Sequence, residues 1–165
     1  EFTNEEDKYF DYLEPIGIKN SSRQERLVYL EKGIKRQINE IIKKKHKLIL
    51  VYPVPEMGFY PPPLLWSKYK KNKFKDSKID ILSTSYEVYK KRHSEIFRIL
   101  DSIKDENIYR VLPHKFFCNI IIEDRCVAND LDDLYYYDLD HVSLKGSEFI
   151  VDDIWYVIQN IKWKN

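Results

Sequence analysis

Glycine is scarce, with four residues in 165, about a third of the usual share near 7%. Sharp glycine turns are therefore few, and no glycine-rich phosphate loop is present. Cysteine occurs only at 118 and 126, which excludes a disulfide-dense miniprotein. Neither sign of charge dominates: 28 Lys and Arg oppose 27 Asp and Glu, a net +1, so no overall field recruits nucleic acid or an acidic substrate. The longest apolar run, Leu48 to Val54, is interrupted by Pro53. A bilayer span needs about 20 apolar residues, so no segment reads as transmembrane. The chain opens Glu1-Phe2-Thr3, with neither an initiating Met nor a signal peptide. That predicts a piece of a longer polypeptide, or a remnant at the start.

What is present indicates a folded domain. Apolar residues make up 43%, charged residues 33% and aromatics 15%, which excludes disorder and collagen-like repeats. No internal repeat or low-complexity linker divides the chain, so residues 1–165 are expected to form a single domain.

Residues 1–20 are acidic and aromatic without clean periodicity. Ser22-Arg23-Gln24-Glu25 has the form of a capping box. Leu27, Leu30, Ile34, Ile38, Ile41 and Ile42 follow at helical spacing, and Lys43-Lys44-Lys45-His46-Lys47 places cations where a helix C-terminus favours them. Leu48–Tyr52 is apolar without alternation, as in a parallel strand covered on both faces. It ends at Pro53-Val54-Pro55-Glu56, because proline removes ladder donors. Met57 to Ile79 is expected as a loop, with prolines at 61–63 and then lysines interleaved with Trp66, Tyr69 and Phe74. Such a pattern suits single-stranded nucleic acid or an anionic membrane surface, but a solvated loop with inward-packed aromatics is the simpler reading, and no nucleic-acid partner is expected.

Thr84-Ser85-Tyr86-Glu87 reads as a second capping box, ahead of a helix bearing Val88, Ile96, Ile99, Leu100 and Ile103. His93 lies inside that helix, and a surface or packing role is expected for it. Ile108–Leu112 is a second short strand, and the two strands are expected to be parallel neighbours flanked by three helices. Phe149, Ile150, Ile154, Trp155, Val157, Ile158 and Ile161 fall largely on one side of a closing helix from Gly146 to Ile161. This alternation is the rhythm of a doubly wound α/β sheet.

Cys118 and Cys126 lack the CxxC spacing or histidine partners of a zinc site, since only His114 is close. Two buried free thiols and a disulfide both remain open, and the disulfide is favoured; it requires an oxidising compartment. The acidic run Asp130, Asp132, Asp133, Asp138, Asp140 does not form an EF-hand loop. Counting from Asp130 puts Tyr135 where glycine is needed and His141 where glutamate is needed.

Asp138 and His141 are three apart on a predicted tight turn before the last helix. Asp138 can accept the Nδ1–H of the imidazole and leave Nε2 as a general base, while Asp140, adjacent to His141, is expected to point elsewhere. The alternative is a carboxylate that caps a turn and a histidine that only hydrogen-bonds.

The stretch YYYDLDHVSLKGSEFI at 135–150 closely resembles the last block of SGNH/GDSL hydrolases, in which D-x-x-H-(hydrophobic)-S-x-x-G precedes the C-terminal helix. The resemblance narrows to the SGNH domains fused behind membrane-bound acyltransferase-3 proteins, the O-antigen and surface-polysaccharide O-acetylases. Four further features carry it: the strand into Pro53-Val54-Pro55-Glu56, the helix EVYKKRHSEIFRIL, the segment Val111 to Cys118, and a second cysteine shortly before the tyrosine-rich block. The match runs in order over about residues 24–160. It implies a flavodoxin-like three-layer α/β/α fold with a parallel sheet, His141 as general base and Asp138 as its orienting partner. It implies no metal and no organic cofactor. It further implies an acyl donor, a glycan acceptor, a membrane acyltransferase domain in the same parent protein, and a periplasmic location tethered to the inner membrane. The departure lies in the nucleophile: no Gly-Asp-Ser occurs here, and none of the ten serines follows a buried strand as an exposed elbow. The first strand, the nucleophile and the oxyanion donors are therefore expected outside this chain, which by itself is expected to be inactive. A non-catalytic glycan- or partner-binding domain of the same fold is the second reading.

Overall fold

The computed structural model describes residues 17–18, 20–72 and 80–161. The expectations for residues 1–16 and 73–79 lie outside them. The elements run α1 (Arg23–Lys43), β1 (Leu48–Val51), α2 (Pro61–Asn72), β2 (Ser83–Ser85), α3 (Tyr86–Ser102), β3 (Ile108–Val111), α4 (His114–Phe117), β4 (Arg125–Val127) and α5 (Leu144–Asn160).

β1 and β3 pair in parallel, Leu48 opposite Ile108 through Val51 opposite Val111, as the apolar runs predict. Alternation along the pair separates two cores. Ile49 and Val111 pack into one, with Phe117, Tyr135, Tyr136 and Ile150 of α5. Leu48, Leu50 and Ile108 pack into the other, with Ile38 of α1 and Leu100 of α3. Helices thus lie on both faces of a parallel pair, a mixed α/β arrangement consistent with an incomplete three-layer α/β/α fold. Coverage of β1 is less complete than the sequence suggests: Val51 remains 45% exposed. Among the described residues β3 is the only strand beside β1, so one edge is unpaired.

Several local expectations hold and others shift. Ser22 caps α1, with the Glu25 N–H donating to Ser22 Oγ at 3.2 Å and the Ser22 N–H donating to Glu25 Oε2 at 2.8 Å. Leu30 departs from the apolar stripe at 43% exposed, and only the later part of the stripe (Ile34, Ile38 and Ile42) meets a core. The cap of α3 is Ser85, which accepts from Val88 N, whereas Thr84 is a buried residue of β2. β2 pairs antiparallel with β4 and takes Thr84 away from the capping position. The expected loop at 57–79 contains α2, which begins at the three prolines. Proline fits a first helical turn, where its missing N–H would find no intrahelical acceptor. On α5, Trp155 is 58% exposed and faces away from the core that Phe149, Ile150, Ile154 and Val157 join.

Cys118 and Cys126 are joined as a disulfide. The loop between them turns through Asn119 and Asp124 at φ 60° and 55°, left-handed positions filled by Asn and Asp in a glycine-poor chain. In natively prepared protein, alkylation without reductant is expected to leave both sulfurs unmodified by mass spectrometry. Closing so short a loop stabilises by about 2.5 kcal/mol in the chain-entropy model, so reduction should lower Tm by roughly 5–10 °C. Two alkylated thiols in the native sample would refute the bond.

Candidate active site

The tyrosine-rich block is placed by its own side chains and by the backbone beneath it. Tyr135 and Tyr136 turn inward and are 4% and 0% exposed, whereas Tyr137 turns out at 76%. Phe117 meets Tyr135 at 6.0 Å and Tyr136 at 5.5 Å between ring centroids, and Tyr135 meets Phe149 of α5 edge-on at 5.4 Å. Behind them a relay of backbone bonds starts beside the disulfide: Ala128 N donates to Leu82 O, Tyr135 N to Ala128 O, and Ser143 N to Tyr135 O. Buried Asn129 fastens this layer, accepting from Leu82 N and donating to the carbonyls of Asp80 and Asp130.

Residues 137–141 close into a tight loop, with Tyr137 N donating to His141 O at 2.8 Å. Asp138 organises it. Its Oδ1 accepts from the backbone N–H groups of His141 at 2.8 Å and Asp140 at 3.1 Å. Its carboxylate also faces His141 Nδ1 at 2.9 and 3.0 Å. A carboxylate can only accept, so Nδ1 carries the proton and Nε2 is the basic nitrogen. The structure thus brings together Asp138 and His141, the two residues singled out in the sequence.

Asp140 does not point elsewhere. Its Oδ1 lies 3.1 Å from Nδ1, because the turn that serves Asp138 folds the neighbouring carboxylate back beside the ring. Hydrogen bonds from the backbone of His141 and Asp140 hold the Asp138 carboxyl down at about 2. The hydrogen bond to Asp138, and then the charges of Asp138 and Asp140, push the His141 imidazole up. Partial desolvation first, then the nearby carboxylates, raises Asp140. The His141 side chain is 75% exposed and that of Asp138 28%, so the base is open on the surface while its partner is half-sheltered.

Asp138, Asp140 and His141 also place one possible metal-ligand atom each within 4.8 Å of one another. The imidazole in that set already directs Nδ1 at two carboxylates, the geometry of an oriented base.

The Pro53–Met57 strap was visible in the sequence as a strand end and a family mark, and the structure shows its mechanical role. Tyr89 of α3 donates to Pro53 O at 2.7 Å, Arg92 of α3 pairs with Glu56, and Met57 N donates to Leu139 O at 2.7 Å. α3 therefore holds the strap at two points, and the strap holds the middle of the Asp138–His141 turn.

His93 is a packing histidine, as expected. Its ring lies 4.8 Å from Tyr89, in an aromatic cluster that also contains Phe97 and His114. His93 Nε2, His114 Nδ1 and the hydroxyl of Tyr136 are buried without a hydrogen-bond partner among the described residues. Desolvation lowers both histidines below the usual 6.5. At these two histidines the unfolded chain therefore takes up protons before the folded one, so their contribution to stability is full above pH 6.5 and is lost as the pH drops below it. Tm is expected to fall between pH 7 and about 5, and a His93→Gln/His114→Gln protein should show a flatter profile. An equal slope in both proteins would refute the assignment.

Seven of the described serines make local bonds away from His141. Ser22, Ser85 and Ser143 cap helices. Ser94, Ser102 and Ser147 donate to carbonyls of their own helices, and Ser83 accepts from Arg125 Nε.

An imidazole whose Nδ1 faces a carboxylate and whose Nε2 is open has the geometry a proton-transfer group requires. The family model for the SGNH domain fused to AT3 (acyltransferase-3) domains matches residues 3–155, and the chain belongs to that family. The family is described as one of domains fused to AT3 domains. No curated protein and no solved structure matches the sequence. Among the described residues no helix is long and apolar enough to cross a membrane.

Proposed function

We propose that the domain supplies the base and its orienting carboxylate for acyl transfer to or from a hydroxyl of a cell-surface polysaccharide, outside the cytoplasm. The observation that carries this reading is the Asp138 carboxylate at 2.9 Å from His141 Nδ1 on an exposed turn.

The nucleophile in this reading is a serine of the parent protein outside this chain. Its Oγ bonds to the acyl carbon while its proton passes to His141 Nε2, and Asp138 stabilises the resulting imidazolium. Collapse of the tetrahedral adduct breaks the bond to the donor, whose leaving oxygen takes the proton from Nε2. A sugar hydroxyl or water then gives its proton to Nε2 and attacks the acyl-serine, and the second adduct collapses as the serine Oγ leaves and takes that proton back, restoring serine and neutral imidazole. The absence of a Gly-Asp-Ser motif from the sequence supports that division of labour.

A polypeptide extended upstream through a Gly-Asp-Ser strand is expected to hydrolyse a small acetyl ester, and the 165-residue chain alone is expected not to. Turnover by the chain alone, abolished by mutating one of its own serines, would overturn the proposal.

A further inference from the structure

The outer face of α2 carries side chains that its role as a packing helix does not require. Leu64 and Leu65 turn inward and meet the core. On the other side Trp66 is 57% exposed and Tyr69 49%, with Tyr60 just before the helix at 57%. The Trp66 and Tyr69 rings stack at 5.8 Å with 17° between planes, forming one continuous aromatic surface. The Lys70 ammonium lies 5.0 Å from the centre of the Trp66 ring. The helix contains Lys68, Lys70 and Lys71 and no acidic residue, a local excess of positive charge on a chain of net charge +1. Lys68 is turned toward Asp80 at 3.2 Å, whereas Lys70 and Lys71 stand exposed.

Exposed aromatics grouped with lysines mark a contact surface rather than scattered surface apolarity. We propose that this face of α2 rests on an anionic lipid surface, with Trp66 and Tyr69 at the headgroup level and Lys70 and Lys71 against the lipid phosphates. Tryptophan and tyrosine favour the membrane–water interface, where an apolar ring and a polar edge are both satisfied. Lysines lay their apolar stems along such a surface and keep the ammonium in the charged layer. A base or a sugar would need an open ring face, and here Tyr69 and Lys70 already lie against Trp66. Membership in a family of domains fused to a membrane acyltransferase puts a bilayer within reach. The proposal does not depend on His141 acting as a base.

Sedimentation of the 165-residue chain with vesicles tests it directly. Vesicles of phosphatidylglycerol and phosphatidylcholine in equal parts should bind the chain, and phosphatidylcholine alone should not. Lys70→Glu/Lys71→Glu should weaken partitioning by at least about 30-fold, from the usual contribution of each lysine near an anionic surface. Trp66→Ser should weaken it several-fold at unchanged charge. Both changes lie on exposed positions, and circular dichroism checks that the fold is kept. Lys43→Glu/Lys44→Glu/Lys45→Glu, at the end of α1, should retain binding. Absence of binding to the anionic vesicles overturns the proposal. So does loss of binding in the α1 variant but not the α2 variants, or capture of a single-stranded oligonucleotide in place of vesicles.

Discussion

In a polypeptide that extends this chain upstream through the proposed Gly-Asp-Ser strand, His141→Ala is expected to lower kcat for a small acetyl ester on the order of 10⁶-fold, because a serine and its base act as one unit. Asp138→Asn should cost less, on the order of 10⁴-fold, since the ring can remain in place while the tautomer is wrong. The structure separates the two aspartates at Nδ1. Asp138 anchors the turn through two backbone N–H groups as well as the ring, whereas Asp140 contributes only its approach to the ring at 3.1 Å. Asp140→Asn is therefore expected to stay within about tenfold of the parent. The pH dependence has a definite sign. The carboxylates raise the imidazole above its usual 6.5, so activity should climb with pH through an apparent value above 6.5. Asp138→Asn should move that limb downward. Equal losses at Asp138 and Asp140, or a pH limb that Asp138→Asn leaves in place, would refute the assigned roles.

Gly146→Ala is expected to be strongly destabilising. A Cβ built there would lie 2.2 Å from the Tyr135 carbonyl oxygen, 3.0 Å from its carbon and 3.2 Å from Val142 Cβ. Backbone cannot swing aside as a long side chain can. That carbonyl also accepts Ser143 N, and Ser143 Oγ both donates to Leu134 O and accepts Gly146 N. Moving Tyr135 therefore disturbs the α5 cap and the segment that leads into Asp138. The expected cost is about 3 kcal/mol, the upper part of the range for overpacking, and Tm should fall on the order of 10 °C. Gly33→Ala is the matched control. Its Cβ would meet nothing within 4 Å on α1, so it should stabilise by up to about 1 kcal/mol through helix propensity. Thermal melts of the two proteins decide this; a neutral Gly146→Ala would show that the close approach does not constrain the turn.

The D-x-x-H pair was legible because an i, i+3 contact on a turn depends on few residues, all of them adjacent in the chain. Helix α1 was legible for the same reason: the spacing of Ile34, Ile38 and Ile42 is local, and it carries through into the core. Asp140 was misjudged because alternation along an extended chain does not apply where one carboxylate collects successive N–H groups and curls the backbone. α2 was missed because three prolines read as a breaker, although in a first turn they remove donors that the helix leaves unused. The strap's hold on Leu139 was invisible: it joins Met57 to Leu139 through a backbone bond, and main-chain pairing over that separation leaves no trace in residue type.

By its own pattern the sequence determined the parallel β1–β3 pair, the capping of α1 by Ser22, the candidate base with its carboxylate, and the two cysteines available to bond. Each rests on local periodicity, a short-range contact or residue chemistry. Only the tertiary structure decided that Thr84 enters a strand and leaves Ser85 to cap α3, and that Trp155 faces outward. It alone decided that α3 grips the strap beneath the Asp138–His141 turn and that a Cβ at residue 146 would meet the Tyr135 carbonyl. Those outcomes depend on which distant segments come to share space, and packing is a property of the folded chain as a whole.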